Sequence, residues 1–366
     1  TADGLKALES GETELQIVMN ANDTNSYYTI DATVWQMIIS DETELLEFSA
    51  MLDAAASESN ALAGWFLLDD DIDMSASDHV FGDFAGDPNS RQGTRYFAGV
   101  FDGDGHSITG LKLGNKGLFN WVTASGIVKN IALVDAYAYG YAADGTQTQQ
   151  NVTHGSNILA EGFYGTLENV FVSGSVGPSR WSYSGLVWQM RAEAVRDCVF
   201  DITLRSDATS NIDTALGAWI VSGSNSTKTI DNVVLITESE KVCNLGGNDK
   251  AWELPQNVTL FADAEACLAG IDMAGFDSPL WAKTDDGITF GGTLVVFKGE
   301  EVTSLPGSYV VSKTAADNKL SFKLEDTSLI KGEFVSFADE EGVAVTCDYS
   351  NGTITFTAEN LSLIHI

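Results

Sequence analysis

The sequence predicts an all-β chain: a parallel β-solenoid with an N-terminal capping helix, followed by a small β-sandwich. Three observations predict it. A six-residue phrase recurs five times in order, its third place is always Gly, Asn or Asp, and beyond residue 291 the pattern changes to short alternating strands divided by turn signals.

Residues 1–38 read as short strands, among them 14–19 and 27–34, consistent with the end of a preceding module. Ser40 or Asp41 followed by Glu44 is a capping signal for a helix running to about residue 56. Leu45, Leu46, Phe48, Met51 and Leu52 give that helix one apolar face. An amphipathic helix in this place covers the first strands, which otherwise present an unpaired edge.

The phrase reads Ile108-Thr109-Gly110-Leu111-Lys112-Leu113, then Val128-Lys129-Asn130-Ile131-Ala132-Leu133, then Leu167-Glu168-Asn169-Val170-Phe171-Val172. It returns as Val195-Arg196-Asp197-Cys198-Val199-Phe200 and as Ile230-Asp231-Asn232-Val233-Val234-Leu235. Gly, Asn and Asp are the residues that best tolerate a left-handed backbone, so a bend is expected at each third place. The apolar residues around it alternate inward with period two. Successive bends stand 20, 39, 28 and 35 residues apart, so the shortest interval approximates one bare coil and the others carry loops. No coil buries its apolar face alone, and stacking at about 4.8 Å per strand makes the core continuous. A β-sandwich also has short alternating strands, but its turns need no Asn at a fixed place.

The segment from Phe97 to Ile108, reading Phe-Ala-Gly-Val-Phe-Asp-Gly-Asp-Gly-His-Ser-Ile, resembles the opening phrase of bacterial cell-surface β-helix proteins with GLUG-type repeats. Gly117-Leu118-Phe119 through Leu133 continues the likeness, and Gly185-Leu186-Val187 keeps it, whereas Leu216-Gly217-Ala218 departs from it. The likeness covers roughly residues 39–290. It implies a right-handed parallel β-helix, export and attachment to the cell surface, and no single activity. Residues 262–268 read as a short helix, and 276–290, with Trp281, resembles the family's closing turn.

From Gly292 onward, strands at 293–297, 309–312, 319–324, 332–337, 343–347 and 353–357 fit an Ig-like β-sandwich. The expected organisation is thus 1–38, a capped β-helix over 39–291, the sandwich over 292–360, and a tail at 361–366. The codons CTG TCT CTT ATA CAC ATC would encode that tail and resemble a sequencing-library adapter, so the native chain is expected to continue past Asn360.

Composition narrows the function. The chain has 366 residues, 19 basic against 52 acidic side chains and a net charge of -33, a field that repels phosphate backbones and anionic leaflets. No nucleic acid partner is expected, nor membrane insertion, since no stretch reaches the roughly 18 apolar residues of a span. Neutral polysaccharides and the glycans of host or neighbouring cells remain as partners. Cys198, Cys243, Cys267 and Cys347 form no C-x-x-C pair, which leaves buried thiols or a Cys243–Cys267 bridge.

Tyr137, Tyr139 and Tyr141 alternate after the second phrase, and Trp181 and Tyr183 follow the third. Loops of a solenoid commonly project on one side, so these five rings are candidates for stacking on sugars, with Asp144, Gln147 and Gln149 as hydrogen-bonding neighbours. The alternative is that they pack on the wall, the place expected for Trp121, Trp188 and Trp219. Asp69, Asp71 and Asp73 alternate and are a weak calcium candidate; the alternative is a solvated turn. Asp102-Gly103-Asp104-Gly105 lacks the late Glu of a calcium loop and reads as a tight turn. Catalytic motifs are missing, and the bases a polysaccharide lyase needs (Arg180, Arg191, Arg196, Arg205, Lys129) are scattered. The expectation is a secreted, surface-displayed protein of adhesion or glycan binding. The alternatives are a lyase or glycoside hydrolase using the β-helix groove, and a stalk.

Overall fold

The computed structural model describes residues 10–21, 24–82, 95–114, 116–138, 157–176, 185–204, 227–238 and 254–297. It also describes the strands at 312–314, 319–323, 337–338, 344–345, 347–350 and 353–357. Two compact units divide the chain, Thr1–Phe297 and Lys298–Ile366.

In the first unit an antiparallel hairpin of β1 (Gly11–Ala21) and β2 (Thr24–Val34) precedes β3 (Met37–Ile39) and helix α1 (Glu42–Ala54). Next come β4 (Trp65–Leu68), β5 (Ile72–Asp73), β6 (Val80–Phe81), β7 (Tyr96–Phe97), β8 (Val100–Asp102), β9 (Ser107–Thr109) and β10 (Lys112–Leu113). They are followed by β11 (Trp121–Val122), β12 (Ile127–Ala138), β13 (Ala160–Phe163), β14 (Thr166–Val176), β15 (Val187–Met190), β16 (Ala194–Leu204), β17 (Ile230–Ile236) and β18 (Val258–Phe261). Among the described residues these make a parallel sheet of 12 strands, with main path β3-β4-β8-β12-β14-β16-β17-β18, and a parallel sheet of 4, β7-β11-β13-β15.

The register explains the phrase. Asn130, Asn169, Asp197 and Asn232 fall opposite one another, between paired residues on either side. All four are left-handed, with φ of 55°, 51°, 52° and 48°. The bend turns each side chain along the file: Asn130 Nδ2 donates to Asp102 Oδ1 at 2.9 Å, Asn169 Nδ2 to Asn130 Oδ1 at 3.2 Å, and Asn232 Nδ2 to Asp197 Oδ1 at 2.9 Å. A sixth bend, Asn257 at φ 65°, continues the file and was not among the five expected.

The first phrase is bent as expected but stands elsewhere. Gly110, at φ 72°, lies opposite Asp135, because Ile108 pairs with Leu133 and Lys112 with Tyr137. The neighbour of Asn130 on the earlier strand is Gly103, whose N–H donates to Lys129 O and whose added Cβ would lie 2.3 Å from Asn130 O. The 20-residue interval is therefore not a repeat of the ladder, and glycine at 103 is required by close approach.

Inward-pointing residues of both sheets form one core, including Phe66, Phe97, Phe101, Val128, Phe163, Leu167, Met190 and Val195. Helix α1 plugs one end of it. Asp41 Oδ1 accepts from Glu44 N at 2.9 Å and Glu44 Oε2 accepts from Ser40 N at 2.7 Å, the reciprocal pair that the sequence signals. Its Phe48 meets Phe66, Phe97, Phe101 and Phe119 with ring centroids 5.0 to 6.2 Å apart.

The fifth place of the phrase also holds apolar residues, Ala132, Phe171, Val199 and Val234, and these point out of the main core. A second core covers them. It is built from helix α2 (Ala264–Gly270), capped by Asp263, and an antiparallel sheet of β19 (Trp281–Lys283), β20 (Gly287–Phe290) and β21 (Thr293–Phe297). Trp281 is its anchor, donating Nε1 to Asp197 O at 3.2 Å. Residues 276–290 are thus a lid on the sheet's outer face. β21 completes that lid, so the boundary between units falls after Phe297 rather than at Gly292.

The second unit contains an antiparallel sheet of β22 (Ser312–Thr314), β23 (Lys319–Lys323), β27 (Thr353–Thr357) and β26 (Cys347–Ser350), in that order, and an antiparallel pair of β24 (Phe337–Ala338) and β25 (Ala344–Val345).

Candidate functional site

The four-stranded sheet aligns two files of side chains. Phe97, Val122, Phe163 and Met190 share one register and are fully buried. One place earlier, Tyr96, Trp121, Gly162 and Gln189 form the opposite file, in which Tyr96, Trp121 and Gln189 stay partly exposed. Period-two alternation dictates this split, because any strand residue beside a buried one faces the other way.

Glycine at 162 decides what the outer file does. A Cβ built there would lie 2.7 Å from the Trp121 ring, so the indole rests on bare backbone. It then stacks against Tyr164, centroids 5.3 Å apart and planes 25° from parallel, while Tyr96 lies on its other side at 6.4 Å. Tyr164 hydroxyl donates to Gln189 Oε1 at 3.1 Å, and the Arg191 guanidinium sits over the Tyr164 ring, 5.9 Å from its centroid. Burial pushes the Tyr164 hydroxyl above its ordinary pKa, and the charge and hydrogen bond of Arg191 oppose that rise. The result is a row of three partly exposed rings, edged by an amide and a guanidinium. Flat apolar faces flanked by a few fixed polar groups suit the stacking of a sugar ring.

Of the rings expected to bind sugars, Tyr137 is on β12 and 43% exposed, opposite Lys112 and Ser175 and apart from this row. Tyr139, Tyr141, Trp181 and Tyr183 lie outside the described residues. Trp121, read as a wall residue, is on the wall and is also the centre of the aromatic row. No local motif could have shown this, since Tyr96, Trp121 and Tyr164 come from three separate strand regions; the glycine opposite a tryptophan becomes meaningful only once the register is known.

Asp69, Asp71 and Asp73 are not on one strand face, because β4 ends at Leu68 and β5 begins at Ile72. Asp71 Oδ1 accepts from Ser107 N at 2.7 Å and from its hydroxyl at 3.0 Å, and Asp73 Oδ1 accepts from Ser75 N at 2.9 Å. These are turn and strand-end contacts. Among the described residues no group of three or more His, Cys, Asp or Glu could hold a metal ion. Asp102-Gly103-Asp104-Gly105 is the tight turn expected of it, with His106 N donating to Gly103 O at 2.7 Å.

The bases weighed for lyase chemistry separate in the same way. Lys129 and Arg196 belong to a registered file of alternating charge, Asp102, Lys129, Glu168, Arg196 and Asp231. Lys129 pairs with Asp102 at 3.0 Å and Arg196 approaches Glu168 at 3.9 Å. Such cross-strand pairs contribute a few tenths of a kcal/mol up to about 1 kcal/mol each to sheet stability. Arg180 and Arg205 lie outside the described residues. Cys198 and Cys267 are both buried free thiols, and Cys243, the partner weighed for Cys267, lies outside the described residues.

No protein-family model matches the chain, and neither a curated protein nor a solved structure matches it.

Proposed function

We infer that the chain is a surface-displayed, secreted protein that binds glycans along the Tyr96–Trp121–Tyr164 row. The observation that carries this is the indole of Trp121 lying over Gly162, stacked on Tyr164 and partly exposed. The glycine lets the indole lie flat along the sheet, and its partial exposure leaves ring surface open to a ligand.

The reading includes a fold. The first unit is a right-handed parallel β-solenoid: parallel pairs, a file of left-handed bends and a shared interior fit it, and parallel crossovers are right-handed in about 98% of cases. The second unit is an Ig-like sandwich. The resemblance of 97–133 to surface β-helix proteins supports the localisation, as does the net charge of -33, which favours neutral sugars over nucleic acid or anionic lipid.

Affinity electrophoresis through gels cast with a panel of polysaccharides tests the binding. Retardation by at least one is expected, and Trp121→Ala is expected to weaken it about fivefold or more, since stacking of this kind contributes about 1 kcal/mol or more per ring. Retardation undiminished in Trp121→Ala places the site elsewhere, and none in any gel removes the glycan-binding reading in favour of a stalk.

A further inference from the structure

The aromatic row ends on Arg191, a cation that pairs with no carboxylate among the described residues. In a chain with 52 acidic and 19 basic side chains, a basic group is expected to find a carboxylate. Among the described residues six do: Arg95 with Asp53 at 2.6 Å, Lys112 with Asp78 at 3.6 Å, Lys116 with Glu161 at 2.6 Å, Lys129 with Asp102 at 3.0 Å, Arg196 with Glu168 at 3.9 Å, and Lys228 with Glu193 at 2.5 Å. Lys283 donates instead to the Leu268 carbonyl at 2.5 Å. Arg191 differs. It is partly exposed, lies against the Tyr164 ring and hydroxyl, and no carboxylate of the described residues comes within ion-pair reach. Its Nε, like that of Arg95, is buried without a hydrogen-bond partner, so the guanidinium meets solvent through its terminal nitrogens.

A guanidinium is planar and presents a fork of donors matched to a carboxylate, and it does so best when stacked on an aromatic ring that fixes its plane. Here the stacking surface for a sugar and the fork for an acid are adjoining places on one sheet: Trp121 stacks on Tyr164, and Tyr164 carries Arg191. We propose that this row takes a glycan bearing an isolated carboxylated sugar, the pyranose face on Trp121 and Tyr164 and the carboxylate on Arg191. This rests on the glycan-binding reading above.

The net charge limits the ligand further. A polymer with an acid on every sugar meets the summed field of the whole chain, whereas a single carboxylate meets mainly the charges within about 8 to 10 Å, the screening length at ordinary ionic strength. The ligand class is therefore a mostly neutral glycan with one acid, and not a dense polyanion.

The test uses the full chain on an array of oligosaccharides, each carrying one uronate and each paired with its counterpart whose carboxyl has been reduced to the alcohol. At least one uronate member is expected to be retained about tenfold or more above its reduced partner. Arg191→Gln is expected to erase that ratio, and Arg191→Lys to keep a ratio above one. Equal retention of both partners, or an unchanged ratio in Arg191→Gln, overturns the carboxylate inference and leaves glycan binding standing. No retention of any member overturns both.

Discussion

Asp197 interrupts the asparagine file, and the interruption should be measurable. Each member donates a side-chain N–H toward the preceding strand: Asn232 to Asp197, Asn169 to Asn130, and Asn130 to Asp102. A carboxylate has no proton to donate, and the place before it shows the consequence: Asn169 Oδ1 is buried with no hydrogen-bond partner. Asp197 is itself 9% exposed, and burial raises its pKa above the ordinary carboxylate value. The Asn232 hydrogen bond opposes that rise, while the negative charges of Asp277, Asp231 and Glu168 add to it. At neutral pH Asp197→Asn keeps the acceptor for Asn232, removes a buried charge and supplies a donor to Asn169. An orphaned buried acceptor costs about 1–3 kcal/mol, so the variant is expected to be more stable by that amount. For a unit of this size, at about 2 °C per kcal/mol, this is a rise of roughly 2–6 °C in Tm.

The pH dependence fixes the mechanism. A carboxyl whose folded pKa is raised binds its proton more tightly in the folded state, so its contribution is fully present below the unfolded value, about 4, and is lost as pH rises through the folded value. Protonated Asp197 can itself donate to Asn169. The gain of Asp197→Asn over the wild type is therefore expected at pH 7 and should vanish near pH 4, and the difference between the two proteins cancels the titration of the other acids. Urea and thermal melts of both proteins at the two pH values measure it. A variant no more stable than wild type at pH 7, or a gain of equal size at both pH values, refutes the ladder argument.

Gly162→Ala is expected to push the Trp121 indole off the sheet, since the added Cβ would lie 2.7 Å from the ring; glycan retention should fall while the melting curve changes little, and unchanged retention would dissociate the row from binding. Phe48→Ala removes the ring around which Phe66, Phe97, Phe101 and Phe119 gather, at an expected cost of about 3–5 kcal/mol in urea unfolding; a loss below 1 kcal/mol would mean that α1 is not a plug. Burial pushes the Cys198 thiol up and that of Cys267 to about 12, so peptides containing either should stay unmodified by iodoacetamide at pH 8 until urea is added; rapid labelling of the folded protein would contradict their burial.

The sequence by itself determined the local geometry. Asn130, Asn169, Asp197 and Asn232 bend left-handed where their residue type was expected to, and Asp41 with Glu44 caps the helix that its spacing announced. A bend or a cap is decided within a few residues, so its signal is written beside it. Pairing between distant strands is not written in this way. Only the tertiary structure decided that Gly110 stands opposite Asp135 instead of Asn130, since a phrase of the right shape fits either file and the loop lengths choose between them. It also decided that residues 264–297 return to cover Ala132, Phe171, Val199 and Val234, whose outward apolar file was visible in the phrase but whose partner lay far along the chain. The aromatic row is the extreme case: Tyr96, Trp121, Gly162, Tyr164 and Arg191 have no shared motif and become one surface only through register, because a shift of one residue on β11 would turn Trp121 into the core and a shift on β13 would take Gly162 from beneath it.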